Sequence, residues 1–383
     1  SNYWLKSINY MEDKLYSKEL QSIIKSNRFR TRDIFDETLI DLASNDYLGL
    51  GSKKKLLKKS YNSLLKNKSH SPKASMLVNG YSKIHKKFED KLASTNGFEA
   101  GICVGSGFLA NISLIEALVR NNDTLFIDED YHASGILATK LLRAEQVVVF
   151  KHNDHIDLQE KITQNTRKGR NIIAIEGVYS MEGDLAPKEI FTLAQNDNCL
   201  LVVDEAHSSG VIGKNLLGIY DYYNIKIQAN HIKMGTLGKA YGSYGAYILA
   251  SKEIIQYLTN RAKPIIYSTA PSNFDITLGY ESLKYIIKNK KALKKQVNKK
   301  LQIIKEILDI DAKSLIIPIK IGDNKKVKEI QKELSSKGYI VGAIRQPTVK
   351  VAIIRLIAKI DVSNKQLKDV CKTLKKYIQE EKW

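Results

Sequence analysis

The sequence predicts an α/β protein: a mostly parallel seven-stranded sheet with helices on both faces, followed by a smaller α+β lobe. Two observations support this. Short runs rich in Val, Ile and Leu recur between helical stretches at residues 101–104, 125–128, 147–150, 172–175, 200–203, 232–236 and 245–250. The runs are nearly continuously apolar, as strands buried on both faces are, and their spacing is that of repeated βα units. Near residue 276 the pattern then gives way to a long Lys-rich helix.

Taken in order, residues 1–40 read as an arm made of an amphipathic helix and a basic connector at 27–32. A large domain follows, and the tail shows a strand at 315–321, a helix at 327–337, two further strands and a closing helix from 364. The expected division is 1–45 for the arm, 46–275 for the large domain and 276–383 for the small one, which the arm joins. At 383 residues the chain exceeds one ordinary core.

Hydrophobic residues make up 43% and charged residues 27%, near the averages for globular proteins, so a soluble protein is expected. No apolar run approaches the ~18 residues needed to span a bilayer, and Ser1–Lys6 opens no secretory leader, so a cytoplasmic location is expected. Cys103, Cys199 and Cys371 are an odd set without C-x-x-C spacing. They are read as small buried hydrophobes, with no disulfide and no metal site. The net charge of +20 is carried by lysines along helical faces at 53–59, 288–305 and 325–337. No aromatic stacking motif is interleaved with them, so nucleic acid is set aside, and anionic small molecules or an acidic carrier protein remain as partners.

Three local patterns carry chemistry. The run 200–203 ends in Asp204-Glu205-Ala206-His207, which puts polar side chains at the C-terminal end of a buried strand, where open α/β sheets bind ligands. A strand-end Asp that merely caps a turn is the plain alternative. Next, Lys239 stands alone among glycines in Gly235-Thr236-Leu237-Gly238-Lys239-Ala240-Tyr241-Gly242, where a buried ammonium has a lowered pKa and can form an imine. A surface lysine in a flexible hairpin is the alternative. Third, Gly105-Ser106-Gly107-Phe108 turns from a strand into a helix, an anion site suited to phosphate, although such turns also serve packing. It fits neither the P-loop nor the dinucleotide fingerprint. A phosphate cradle, an imine-forming lysine and an aspartate for a pyridinium nitrogen are together what pyridoxal 5'-phosphate requires.

These residues, with Ser44–Leu50, Asn79-Gly80-Tyr81 and His85, Asp130–Ser134, His152-Asn153-Asp154, Glu176–Asp184, Tyr267-Ser268-Thr269 and Ile344–Val349, resemble the α-oxoamine synthase family of the type I pyridoxal-phosphate fold. The likeness runs over almost the whole chain. It implies that Lys239 carries the cofactor as a Schiff base and acts as general base, that Asp204 pairs with the ring nitrogen and that His132 stacks on the ring. It further implies that His207 meets the phenolic oxygen, that Ser180 lines the cofactor, and that Thr236 with the Gly107 and Phe108 amides holds the phosphate. Ser268 and Thr269 resemble a pair reaching the neighbouring subunit's phosphate, which implies a homodimer with shared sites. Asn45 and Arg355 match the holders of the amino acid's carboxylate, with Thr348, His132 and, more loosely, Arg28 or Arg30 on the substrate side. A core histidine at 132 and a snorkelling edge arginine at 355 are the plain alternatives.

The branch most resembled joins L-alanine to pimeloyl on coenzyme A or acyl carrier protein, with loss of carbon dioxide, in biotin biosynthesis. Arg345-Gln346-Pro347-Thr348 and Ala206 favour it. The alternatives are a sister synthase using glycine with acetyl- or succinyl-CoA, or serine with a longer acyl chain. More distant is a non-enzymatic basic binding protein. Three features depart from the family. Ser71–Met76 replaces a glycine-rich loop ending in arginine, Tyr241 and Tyr244 are bulky, and the N-terminal arginine has no firm match.

Overall fold

The computed structural model describes residues 15–26 and 28–380. The chain divides into two compact units, Ser1–Leu39 and Ile40–Trp383. In the first, the helix Ser17–Lys25 buries none of its residues, and Arg28 and Arg30 are exposed. The earlier part of the expected arm helix and Asn27 of the basic connector lie outside the described residues.

The second unit holds strands β1 to β12. The main sheet comprises β2 (Ala100–Val104), β3 (Thr124–Asp128), β4 (Val147–Phe150), β5 (Asn171–Glu176), β6 (Leu200–Asp204), β7 (His231–Thr236) and β8 (Ala246–Ala250), in the order β2-β8-β7-β6-β5-β3-β4. Only β8 is reversed, pairing antiparallel with both β2 and β7. Alternate residues feed opposite cores: Ile173, Ile175, Leu201 and Val203 pack on one face, while Ile172, Ala174, Val202 and Met234 pack on the other. That two-sided burial is why the strands read as continuous apolar runs. All three cysteines are buried.

The small domain centres on a three-stranded antiparallel sheet, β11-β12-β9, of Gly342–Ile344, Ile353–Ile357 and Ile316–Lys320. Where two further strands are expected after the helix Asn324–Ser336, three form. The chain changes partner at buried Val341: β10 (Tyr339–Ile340) pairs parallel with β1 (Ile40–Asp41), whereas β11 pairs with β12. The Lys-rich helix is one continuous element, Asn273–Leu308, capped by Ser272 Oγ, which accepts from the Asp275 amide at 3.3 Å. No described helix is long and apolar enough to cross a membrane.

Candidate active site

The C-terminal strand ends gather the chemistry. Glu176 closes β5 and pairs in register with Asp204, which closes β6. Beyond β7 the chain turns back into β8 through a loop held by Ser243 N–H donating to Leu237 O at 2.8 Å and Gly242 N–H to Lys239 O at 2.9 Å. This turn carries Lys239. Gly107 opens the helix Gly107–Leu118, whose N-cap Ser106 takes the Leu109 amide on its Oγ at 3.2 Å. Together these elements enclose a cleft of about 150 Å³ lined by Gly107, Phe108, His132, Glu176, Asp204, His207, Thr236 and Lys239.

Several polar groups in the cleft are aimed by neighbours. Asp204 accepts from Asn111 Nδ2 at 3.0 Å and from the Ala206 amide at 3.0 Å. Asn111 is itself oriented by Tyr131, whose hydroxyl donates to Asn111 Oδ1 at 2.8 Å, and by Ser134 Oγ at 2.9 Å. His132 caps a short helix, with Nδ1 2.7 Å from Ser134 Oγ. Burial lowers the Lys239 pKa, with the neighbouring Asp204 opposing it. His132 is lowered by burial, then by Lys239, while His207 is pushed well below its ordinary value by burial first and then by Lys239 and Arg355. Burial, followed by the adjacent Asp204 charge, drives the Glu176 carboxyl well above the carboxylate range, so this neighbour of Asp204 holds its proton. Thr236 Oγ1 is buried without a hydrogen-bond partner among the described residues.

A second cluster adjoins the first. Arg355, in the middle of β12 and only 6% exposed, donates from Nε to Ser180 O at 2.8 Å and from Nη2 to Asn45 Oδ1 at 3.0 Å. Tyr47 joins the clusters: its hydroxyl donates to Asn45 Oδ1 at 3.3 Å and stands 2.6 Å from His207 Nδ1.

Of the residues singled out in the sequence, Gly107, Phe108, His132, Asp204, His207, Thr236 and Lys239 therefore share one cleft, and Asn45, Ser180 and Arg355 are bonded together. The others stand apart. Ser268 is half-buried and Thr269 exposed, the latter bridged to Ser75 in the departing 71–76 loop. Thr348 is exposed, its amide tied to Arg345 O, and Arg28 belongs to the other unit. Three cleft or linking residues lie within motifs noted in the sequence but were given no role there: Glu176, Asn111 and Tyr47. Glu176 carries the signal that exposed Asp204, an apolar run ending in a carboxylate. Asn111 stands one helical turn after Gly107 on the same face.

Residues 37–374 match the aminotransferase class I and II family. The chain is 45% identical to the 8-amino-7-oxononanoate synthase of Helicobacter pylori, over 95% of this chain and 97% of that protein. The chain belongs to this branch of the family. Among solved structures it is similar to the Francisella tularensis 8-amino-7-oxononanoate synthase, at 26% identity and a TM-score of 0.76 over 90% of this chain and 99% of that one. It also superposes on Sphingomonas wittichii serine palmitoyltransferase, with a TM-score of 0.84 over 96% of this chain and 99% of that one. At 22% identity the latter likeness shows the fold alone, the type I fold expected from the sequence.

Proposed function

We propose that this chain is an 8-amino-7-oxononanoate synthase that uses pyridoxal phosphate to condense L-alanine with a pimeloyl thioester, releasing carbon dioxide and the free thiol. The observation that carries the reading is the cleft that half-buried Lys239 shares with Asp204, His132 and His207. The residues fit the cofactor. Thr236 Oγ1 is a buried, unpartnered donor, and it lies beside Gly107, whose missing side chain leaves the helix mouth open. The Gly107 and Phe108 amides with Thr236 would hold the phosphate, Asp204 would pair with the ring nitrogen, His132 would stack on the ring, Ser180 would line it and His207 would hydrogen-bond the phenolic oxygen.

The bound cofactor supplies an electron sink for the amino acid's Cα. Everything else is done by the chain. Lys239 would anchor the cofactor through Nζ, and the same amine would serve as general base for the amino acid's Cα proton. Asp204, held by Asn111 Nδ2 and the Ala206 amide, presents a carboxyl fixed in position to the cleft. Arg355, steadied by Ser180 O and Asn45, takes the alanine carboxylate, and neutral His207 serves as a hydrogen-bonding group rather than a charge.

A homodimer with shared sites is part of the reading, with Ser268 and Thr269 facing the second copy. The exposed apolar side chains of Leu77, Val78 and Tyr267 support this. Thr348 and Arg28 are kept as proposed substrate-binding residues, and the acyl donor is coenzyme A or an acyl carrier protein. The arm 1–45, large domain 46–275 and small domain 276–383 are the working division, and the cytoplasm is the location. The test is spectroscopic and then chemical. The purified protein should show the visible absorbance of lysine-bound cofactor, Lys239→Ala should lose it, and L-alanine with pimeloyl thioester should release thiol. Release with glycine or serine but not alanine would sink the alanine assignment.

A further inference from the structure

Outside the cleft, His152 is gripped by two carboxylates. Its Nδ1 stands 2.9 Å from Asp128 Oδ1 at the end of β3, and its Nε2 stands 2.8 Å from Asp184 Oδ2 in the loop after β5. Asp130 Oδ2 is 3.9 Å from Nδ1. With a carboxylate on each nitrogen, the ring is a doubly protonated imidazolium that donates in both directions. We propose that His152 is a positioning residue for the amino-acid carboxylate, acting through Asp184 and the 179–184 turn on Ser180 and Arg355.

The turn is short and tied at every corner. Tyr179 N–H donates to Asp184 O at 3.0 Å, Gly183 N–H donates to Tyr179 O at 2.9 Å, and Val178 bridges Leu185. Gly183 takes φ +69°, where a side chain would collide with Ile316 O, and its carbonyl accepts from Ser314 Oγ at 2.7 Å. On the His152 side, the Tyr179 ring meets the imidazole edge-on at 4.4 Å between centroids. Asn153, held at φ +54°, donates from Nδ2 to Asp184 Oδ2 at 2.8 Å and to Leu185 O at 3.2 Å, and its amide donates to Asp128 Oδ2 at 2.9 Å. At the opposite corner Ser180 has both backbone groups committed to the site: its amide donates to Glu176 Oε2 at 3.2 Å and its carbonyl accepts Arg355 Nε. A tightly tied turn transmits its placement, so a loosened Asp184 end moves the carbonyl that aims Arg355.

The inference rests on assigning Arg355 to the amino-acid carboxylate. It predicts that His152→Gln, which keeps one donor and loses the charge, raises the KM for L-alanine between about tenfold and about a hundredfold, since a small misplacement near reacting groups costs that much. The kcat, the cofactor absorbance and the KM for the thioester should stay near wild type. Combined with Arg355→Lys, the two penalties should fall short of additive, because both act through one contact. Asp184→Asn should reproduce the split and serves if H152Q does not fold. An unchanged alanine KM in the folded variants, additive penalties, or loss of fold in both variants overturns the proposal. If the wild type turns over a different amino acid, the alanine assignment fails instead, and the same comparison is read with that substrate.

Discussion

Arg355→Lys tests the proposed assignment of Arg355 to the amino-acid carboxylate. The guanidinium is buried and uses its planar fork: Nε is fixed by Ser180 O at 2.8 Å and Nη2 by Asn45 Oδ1 at 3.0 Å, which fixes the direction of the remaining donors proposed to take the carboxylate. Lysine keeps the charge but has one ammonium on a shorter stem. It cannot hold Ser180, Asn45 and a carboxylate at once. Hydrogen bonds to charged groups contribute roughly 1.5 to 3 kcal/mol each, so losing one and leaving a buried acceptor unpaired costs about 2 to 4 kcal/mol. At about 1.4 kcal/mol per factor of ten, kcat/KM for alanine should fall roughly thirtyfold to a thousandfold. Thiol release measured against alanine concentration reads this, with the cofactor absorbance as a check that the cleft is intact. A folded variant whose kcat/KM for alanine stays within about threefold of wild type, less than 1 kcal/mol, would refute the assignment.

Gly107→Ala places a methyl 2.8 Å from Thr236 Cγ2, well inside the ~3.5 Å at which carbon atoms rest, so the cradle must spread. Such overpacking costs about 1 to 3 kcal/mol, and cofactor titration of the apoprotein should show weakened binding of about tenfold or more. Unchanged affinity counts against a phosphate site there. Glu176→Gln should leave kcat/KM nearly intact, because the carboxyl is already held protonated. Severe loss would mean that its charge matters. For His152, burial lowers the pKa but the Asp128 and Asp184 hydrogen bonds prevail and hold it at about 10. A raised value stabilises the fold fully below the unfolded pKa of ~6.5, and that contribution is lost as pH rises through about 10. The urea midpoints of wild type and H152Q should therefore converge between pH 7 and 10, whereas a constant gap would contradict the ion-pair account.

The main sheet was legible because burial on both faces writes itself as apolar runs, and Asp204 and Lys239 because a polar residue at the end of such a run needs a reason to be there. The same logic would have reached Glu176. The contacts that organise the site were not legible, since they join residues distant in sequence: Tyr47 with His207 across 160 positions, and Asn45 with Arg355 across 310. No spacing rule links such pairs, and only the family resemblance put Asn45 and Arg355 on the same list. The division of 339–344 between two sheets was hidden for a similar reason, because a strand's pattern records burial and not which neighbour it pairs with.

The helix Asn273–Leu308 deserves a mechanical reading. At 36 residues and ~1.5 Å per residue it is a rod of about 54 Å. Near its start, Gly279 lies against Phe88 and Leu237, the latter two positions before Lys239. Toward its far end, buried Lys300 donates to Val362 O and, at 2.9 Å, to Asn364 Oδ1, in the segment that follows β12 and Arg355. One unbroken rod thus touches the segment bearing Lys239 and the segment leaving Arg355, the residues proposed for cofactor and amino acid. The two segments are thereby tied to one rigid span counted in helical residues, independent of the lengths of the loops between them.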